Sequence, residues 1–274
     1  MMKKPIIQSK EDFKKQKRKR KILIFSIQIF LLVSFIGLWE LLASTGVINS
    51  FLVSKPSAIW ELFITYLKNG EIFRHIKISL IETLLGLVIG TFLGLIIAII
   101  LWWFPLCSKI LDPFLVVLNA LPKTALAPIF ILWAGAGIKG IVVVAVSLSI
   151  VVTILSAYNY FSSIDEEKIK MMKTFGANRW QILTKLILPG NIPNILNIIK
   201  INIGMSWVGV IVGEFLVSRE GIGYLVVYGG QVFRLDLVMM GVLLLGVLAL
   251  LMYLALNFIE KYYRTYRYHK RRKK

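Results

Sequence analysis

The sequence predicts an all-α integral membrane protein with six transmembrane helices. Hydrophobic residues make up 57% of its 274 positions, more than a soluble domain carries. They form six runs that can each cross about 30 Å of hydrocarbon, which takes about 20 helical residues. Because lipid offers the backbone no hydrogen-bond partner, such runs are expected to be helices. The predicted spans are 22–44, 79–104, 113–134, 139–161, 192–217 and 237–260.

The distribution of positive charge predicts the orientation of these spans. With both termini inside, 24 of the 33 Lys and Arg residues lie on the cytoplasmic side and 7 lie outside, while Lys123 and Lys200 fall within spans. Cytoplasmic loops are enriched in Lys and Arg, so we expect an N-in, C-in arrangement. Residues 1–21 and 261–274 are predicted to be basic cytoplasmic tails. They are expected to contact anionic lipid headgroups and not nucleic acid.

The longest charged segment between spans, residues 162–191, is expected to form a surface loop. Its eight ionisable side chains between positions 165 and 185 would be costly in lipid. Ser163 and Glu166 have the spacing of a capping box that begins one helix, and Gly176 can end it. Asn178 with Gln181 predicts a second helix start.

We expect Pro189, Gly190 and Pro193 to stop that second helix. Gly176, nine further residues and then Leu186-x-Leu188-Pro189 resemble the cytoplasmic EAA loop of permease subunits of bacterial ATP-binding-cassette importers.

The resemblance implies that the loop docks into a cleft of a separate ATPase subunit. Lys, Met and Met stand at positions 170–172, where Glu-Ala-Ala is usual. The alternative is an amphipathic interfacial helix without a partner. The residues implied in coupling are Lys170, Met171, Met172, Phe175, Gly176, Ala177, Leu188 and Pro189.

The third predicted span contains a candidate translocation path. Pro122 and Pro128 free backbone carbonyls, which are tolerated only against protein or a wet cavity. Lys123 is costly unless it faces such a cavity. The alternative is a kinked packing helix whose lysine meets a backbone carbonyl. Leu121-Pro122, an Ala-x-x-Pro pair and Trp-x-Gly-x-Gly here resemble the third span of nitrate, sulfonate and taurine importer permeases.

The fifth span adds two path candidates. In the family resembled, the matching helix lines the path, which implies Trp207 and Glu214. Glu82, in the second span, is expected to snorkel to the interface, the alternative being a pairing with Lys77 or with a neighbouring span.

Glycines at four-residue spacing predict close helix packing. Gly86, Gly90 and Gly94 lie in the second span, and Gly209 and Gly213 in the fifth. Small residues at this spacing form a groove for a neighbouring helix. For the second span that neighbour is either in the same subunit or in a dimer partner.

The sequence argues against catalysis by this chain. It contains no Gly-Lys pair and hence no P-loop, and it has no His-Glu-x-x-His or Gly-x-Ser-x-Gly pattern. We therefore expect no catalytic residue, no metal site and no cofactor in the chain itself.

The resemblance implies a type I ABC importer permease in a bacterial inner membrane, working as a homodimer. Its implied partners are two ATPase subunits, which bind ATP and Mg²⁺, and an extracytoplasmic solute-binding protein. The implied solute is a nitrate-, sulfonate- or taurine-type anion, or alternatively a thiamine-pyrimidine precursor or another heterocycle. A secondary transporter or channel is the alternative of a different class, and it would need no docking loop.

Overall fold

The predicted all-α class is confirmed over the described chain. The computed structural model describes the backbone of residues 10–272 and the side chains of residues 13–262 except Ser50 and Leu52. The helices are α1 Lys10–Ser44, α2 Ser50–Val53, α3 Pro56–Lys68, α4 Glu71–Trp103, α5 Pro105–Ala120, α6 Ala127–Ala134, α7 Ile138–Ser162, α8 Glu166–Thr174, α9 Arg179–Ile182, α10 Leu188–Val217, α11 Ile222–Gln231 and α12 Leu235–Arg272.

Five of the described helical segments are long and apolar enough to cross a membrane. They contain α1, α4, α7, α9 with α10, and α12, and they coincide with five of the six predicted spans. Helix α1 extends back to Lys10, into the basic segment predicted as a tail. Of the two predicted tails, residues 1–9 and 273–274 lie outside the described residues.

The third predicted span, 113–134, is not a single helix. Residues 121–126 separate α5 from α6, and α6 is only eight residues long. A residue before proline is pushed out of the helical region, and Leu121 accordingly has an extended ψ of 138°. Pro128 then lies in the first turn of α6, where its missing N–H is not needed.

Helix α7 packs against both α4 and α10, which also contact each other. A Cβ on Gly86 or Gly94 of α4 would come within 2.6 Å of α7, so only glycine allows this approach. The contacts are Gly86 with Ala145, Gly90 with Ser149, and Gly94 with Thr153. Gly209 and Gly213 of α10 also pack against α7, at Ala145 and Ile141. The glycine stripe of α4 therefore serves packing within one subunit.

A buried amide also joins these three helices. Asn202 of α10 donates one bond of 2.8 Å to the Thr91 hydroxyl of α4 and one of 2.7 Å to the Thr153 hydroxyl of α7. All three side chains are buried. Interhelical bonds of this kind are each worth about 0.6 kcal/mol in membranes and fix how the helices are rotated against one another.

Helix α1 lies at the periphery and is attached near its C-terminal end. Most of its apolar side chains are exposed. The Trp39 indole N–H donates to the Ser54 carbonyl at 3.3 Å, and the Glu40 carboxylate accepts the Ser57 N–H and hydroxyl, each at 2.9 Å. Glu40 thus satisfies a backbone donor in the first turn of α3.

Candidate functional site

The charged loop folds as a helical hairpin, residues 163–182, which we call the hairpin. Helix α8 is capped by Asp165, whose carboxylate accepts the Glu167 N–H at 2.9 Å. The prediction that Ser163 caps this helix was wrong. Because α7 runs to Ser162, the Ser163 hydroxyl instead donates to the Tyr160 carbonyl at 3.1 Å and belongs to the end of α7.

The turn of the hairpin agrees with the prediction. Gly176 has a φ of +76°, the left-handed conformation that ends a helix at little cost only for glycine. The Asn178 side chain accepts the Gln181 N–H at 2.8 Å, and the Gln181 side chain accepts the Asn178 N–H at 2.9 Å. This complete capping box begins α9.

The predicted end of the second hairpin helix was wrong. Helix α9 passes through a π-helical turn, Leu183–Ile187, into α10, so that 39 residues, Arg179–Val217, are helical without a gap. A proline ring in a helix clashes with the carbonyl four residues before it, which for Pro189 is Lys185. Lys185 lies inside the π-helical turn, where the backbone is wider. The hairpin is therefore continuous with the fifth predicted span.

The eight predicted coupling residues fall into two groups. Met171 and Phe175, four positions apart, are 56% and 83% exposed. Lys170 and Gly176 are exposed beside them, whereas Met172, Ala177, Leu188 and Pro189 are half-buried. Met172, Ala177 and Leu188 pack on the buried residues that join the hairpin to the spans, including Phe161 and Ile182.

The base of the hairpin is fastened to the C-terminal end of α4 by contacts that the sequence analysis did not identify. The Arg179 guanidinium lies 5.8 Å from the Trp102 ring and 5.3 Å from the Trp103 ring, within cation–π range. The Trp180 ring meets Trp103 edge to face at 6.3 Å. A cavity of about 560 Å³ lies beside these contacts and reaches Tyr158. Two features of the sequence could have indicated this contact: the tryptophan pair Trp102–Trp103 at the end of the second predicted span, and the pair Arg179–Trp180 after the turn of the hairpin.

The structure places the path candidates of the third span at the break between α5 and α6. Pro122 and Pro128 are exposed, and Lys123 is half-buried. The Lys123 ammonium donates to the Asn119 carbonyl at 3.3 Å and to its side-chain oxygen at 3.4 Å. This is the carbonyl contact of the alternative interpretation, and the path role of these residues stays a prediction.

The structure places the two fifth-span candidates inside the helix bundle. Trp207 is 4% exposed and packs with Leu87 and Ile203, and Glu214 is 1% exposed. Their path role also stays a prediction. The prediction that Glu82 snorkels was wrong, because the residue is 1% exposed and lies beside Glu214 of α10. The contact between Glu82 and Glu214 depends on how α4 packs against α10.

Residues 90–265 match the family described as binding-protein-dependent transport system inner membrane component. The chain belongs to this family. The permease is 30% identical over 213 residues, 77% of each chain, to the putative aliphatic sulfonates transport permease protein SsuC of Bacillus subtilis. It is 24% identical to the taurine transport system permease protein TauC of Escherichia coli, over 86% of this chain and 88% of TauC.

Solved structures share the permease fold. A chain of a bacterial ABC transporter involved in the import of the acidic polysaccharide alginate has a TM-score of 0.63 at 16% identity. The aligned part covers 90% of the permease and 97% of that chain. A chain of the inward-facing MetNI methionine ABC transporter has a TM-score of 0.55 at 16% identity. The aligned part covers 72% of the permease and 95% of that chain. The permease is thus a non-catalytic, multi-pass inner-membrane transport component.

Proposed function

We propose that the permease forms the translocation path of an ATP-binding-cassette importer and that the hairpin couples it to a separate ATPase, which binds ATP and Mg²⁺. The observation that carries the proposal is the mechanical continuity between α9 and α10. Met171 and Phe175 present apolar surface beside Lys170, which suits a partner cleft. A force on the hairpin would act directly on a membrane span, because the helix runs from Arg179 to Val217 without a gap.

The base of the hairpin supports the same role. Arg179 and Trp180 contact the tryptophans at the end of α4, and Ile182 and Ile187 are buried against α7 and α10. A displacement of the hairpin would therefore move α4, α7 and α10 together. Rigid-body motion of packed elements is a general means of switching a transporter between two states.

In this proposal the chain crosses the membrane six times, with both termini inside, and pairs with a second copy of itself. The third crossing would use α5, the break at residues 121–126 and α6. These helices expose many apolar side chains, including Phe114, Leu132 and Trp133, with 63%, 81% and 77% exposure. A neighbouring copy would bury them. Irregular backbone at the break would then lie against protein or a wet path, as its carbonyls require. The solute would be delivered by an extracytoplasmic binding protein.

The proposed solute carries an anionic sulfonate group, as an alkanesulfonate or taurine does. The names of the relatives support this class, and Lys123 supplies a cation at the α5–α6 break. A thiamine-pyrimidine precursor is the second candidate, because the permease is also 29% identical over 187 residues to the formylaminopyrimidine transport permease protein ThiX of Halalkalibacterium halodurans.

Co-purification with the cognate ATPase tests the hairpin. Phe175→Asp should abolish it without harming the fold, because the side chain is 83% exposed. Gly176→Val should also weaken it, and Gly70→Val is the matched control: both glycines have a φ of +76° and open space around the missing Cβ, but Gly70 lies between α3 and α4. Normal co-purification of the Phe175 variant would contradict the docking role.

Uptake of taurine and of an alkanesulfonate into proteoliposomes tests the solute class. The permease would be reconstituted with its ATPase and binding protein. Lys123→Met should reduce uptake of both sulfonates. Lys139→Met should not, because Lys139 is an exposed lysine at the start of α7. Uptake unchanged by Lys123→Met would remove Lys123 from the path.

A further inference from the structure

The cavity of about 560 Å³ beside the hairpin opens where two membrane-crossing helices end. Helix α4 ends at Trp103 and α7 ends at Ser162, so both helices leave the hydrocarbon beside this cavity. Trp102 and Tyr158 line it, and tryptophan and tyrosine are enriched where spans meet the headgroup layer. The cavity therefore lies at the level of the lipid headgroups.

The walls of the cavity are amphipathic. Leu101, Phe161 and Ile182 are buried residues that contribute apolar surface. Lys173 and Arg179 of the hairpin contribute two cations. Since the polar groups of a pocket select the charge of its ligand and the apolar wall selects its body, this lining suits a molecule with an anionic head and an apolar part.

The Arg179 guanidinium is held in position by aromatic rings. It lies 5.8 Å from the Trp102 ring and 5.3 Å from the Trp103 ring. A ring contact of this kind uses none of the N–H donors of the guanidinium. Among the described residues, none pairs with this side chain through a carboxylate. A guanidinium fixed in this way with unused donors is pre-organised for bidentate contact with a phosphate.

Lys173 supplies the second cation. It lies exposed in the last turn of α8, and no carboxylate pairs with it in the part of the chain that the structure describes. Glu166 also lines the cavity, but its side chain is 84% exposed and pairs with Lys170 at 3.7 Å. The lining therefore carries more positive than negative charge.

We propose that this cavity is a binding site for an anionic phospholipid. Arg179 and Lys173 bind the phosphate, and the glycerol backbone and the first part of the acyl chains pack on the apolar wall. Basic pockets between membrane-spanning helices bind anionic headgroups in the same way. Because the lipid contacts α4, α7 and the hairpin together, it stabilises the attachment of the hairpin to the spans. The inference does not depend on the proposed transport function.

Native mass spectrometry of the delipidated full-length permease with three probes tests the ligand class. Phosphatidylglycerol should bind. Phosphatidylcholine, which has the same phosphate but no net charge, should bind about fivefold more weakly or less. Glycerol phosphate, which has no apolar part, should show no binding at the same concentration. Equal binding of the two lipids, or binding of glycerol phosphate as tight as that of phosphatidylglycerol, would overturn the proposal.

Three substitutions on α8 test the location of the bound lipid. Lys173→Gln should weaken binding of phosphatidylglycerol about fivefold, because it removes one of the two cations. Glu166→Gln should strengthen binding, because it removes negative charge from the lining. Lys168→Gln is the matched control: Lys168 is also exposed on α8, but it lies outside the cavity lining and pairs with Asp165 at 4.0 Å.

The control variant should bind phosphatidylglycerol as the unmodified permease does. Both lysines are exposed, so neither substitution should disturb the fold. Equal losses in the Lys168 and Lys173 variants would show that the lipid responds only to the general charge of the surface. That result, or unchanged binding in the Lys173 variant, would refute the site.

Discussion

Gly209 of α10 lies directly against the backbone of Ala145 in α7: a Cβ on Gly209 would come within 2.9 Å of the Ala145 nitrogen and 3.2 Å of its Cβ. Ala145 is fully buried and meets Gly86 of α4 as well. This single alanine therefore sets how closely three spans approach.

The first prediction concerns this contact. Gly209→Ala should destabilise the permease by about 1–3 kcal/mol, because the added methyl meets backbone that cannot move locally. Gly204→Ala lies in the same helix with open space around it and should be neutral or stabilising by up to about 1 kcal/mol. Thermal unfolding in detergent measures both. Equal effects would show that α10 does not pack on α7 through Gly209.

The second prediction concerns the ion pair between α10 and α12. Lys200 and Glu260 lie 2.5 Å apart with side chains only 18% and 16% exposed, and the Lys200 ammonium is 5.6 Å from the Tyr253 ring. A double-mutant cycle with Lys200→Met and Glu260→Gln should give a coupling free energy of roughly 1–3 kcal/mol. The Glu166–Lys170 pair, 84% and 73% exposed, should give less than about 0.5 kcal/mol. A coupling no larger than that of the exposed pair would contradict the first value.

The third prediction concerns the turn of the hairpin. Asn178→Ala removes the acceptor of the Gln181 N–H and should cost about 1 kcal/mol of local stability. Amide hydrogen exchange at Gln181 should then be roughly fivefold faster, and Asn178→Ser should restore most of the protection because serine also caps helices. Unchanged exchange in the alanine variant would mean that the capping box does not hold α9.

Features that depend on neighbouring residues could be predicted well. Five spans follow from the length of apolar runs, since the bilayer sets that length. The turn at Gly176 and the capping box at Asn178 follow from hydrogen bonds closed within a few residues. The glycine spacing likewise predicted close packing, though not which helix would fill the groove.

Two of the wrong predictions concern helix boundaries, where a local sequence pattern was overridden by packing against other parts of the chain. Pro189 is typical of a helix end, but the π-helical turn before it accommodates the proline ring. Burial of Leu183 and Ile187 also stabilises a helix that continues through this turn. Ser163 has the spacing of a cap at the start of α8, but α7 extends to Ser162, so Ser163 lies at the end of α7.

The sequence by itself determined that this chain is a helical membrane protein with a charged hairpin, because hydropathy, charge placement and capping act over short stretches of chain. Only the tertiary structure decided that α7 packs against two glycine stripes, that Arg179 contacts the tryptophans at the end of α4, and that Glu82 lies beside Glu214. Each of these contacts joins helices far apart in sequence. The partner of a buried polar group is fixed by the mutual rotation of packed helices, which no single stretch of residues encodes.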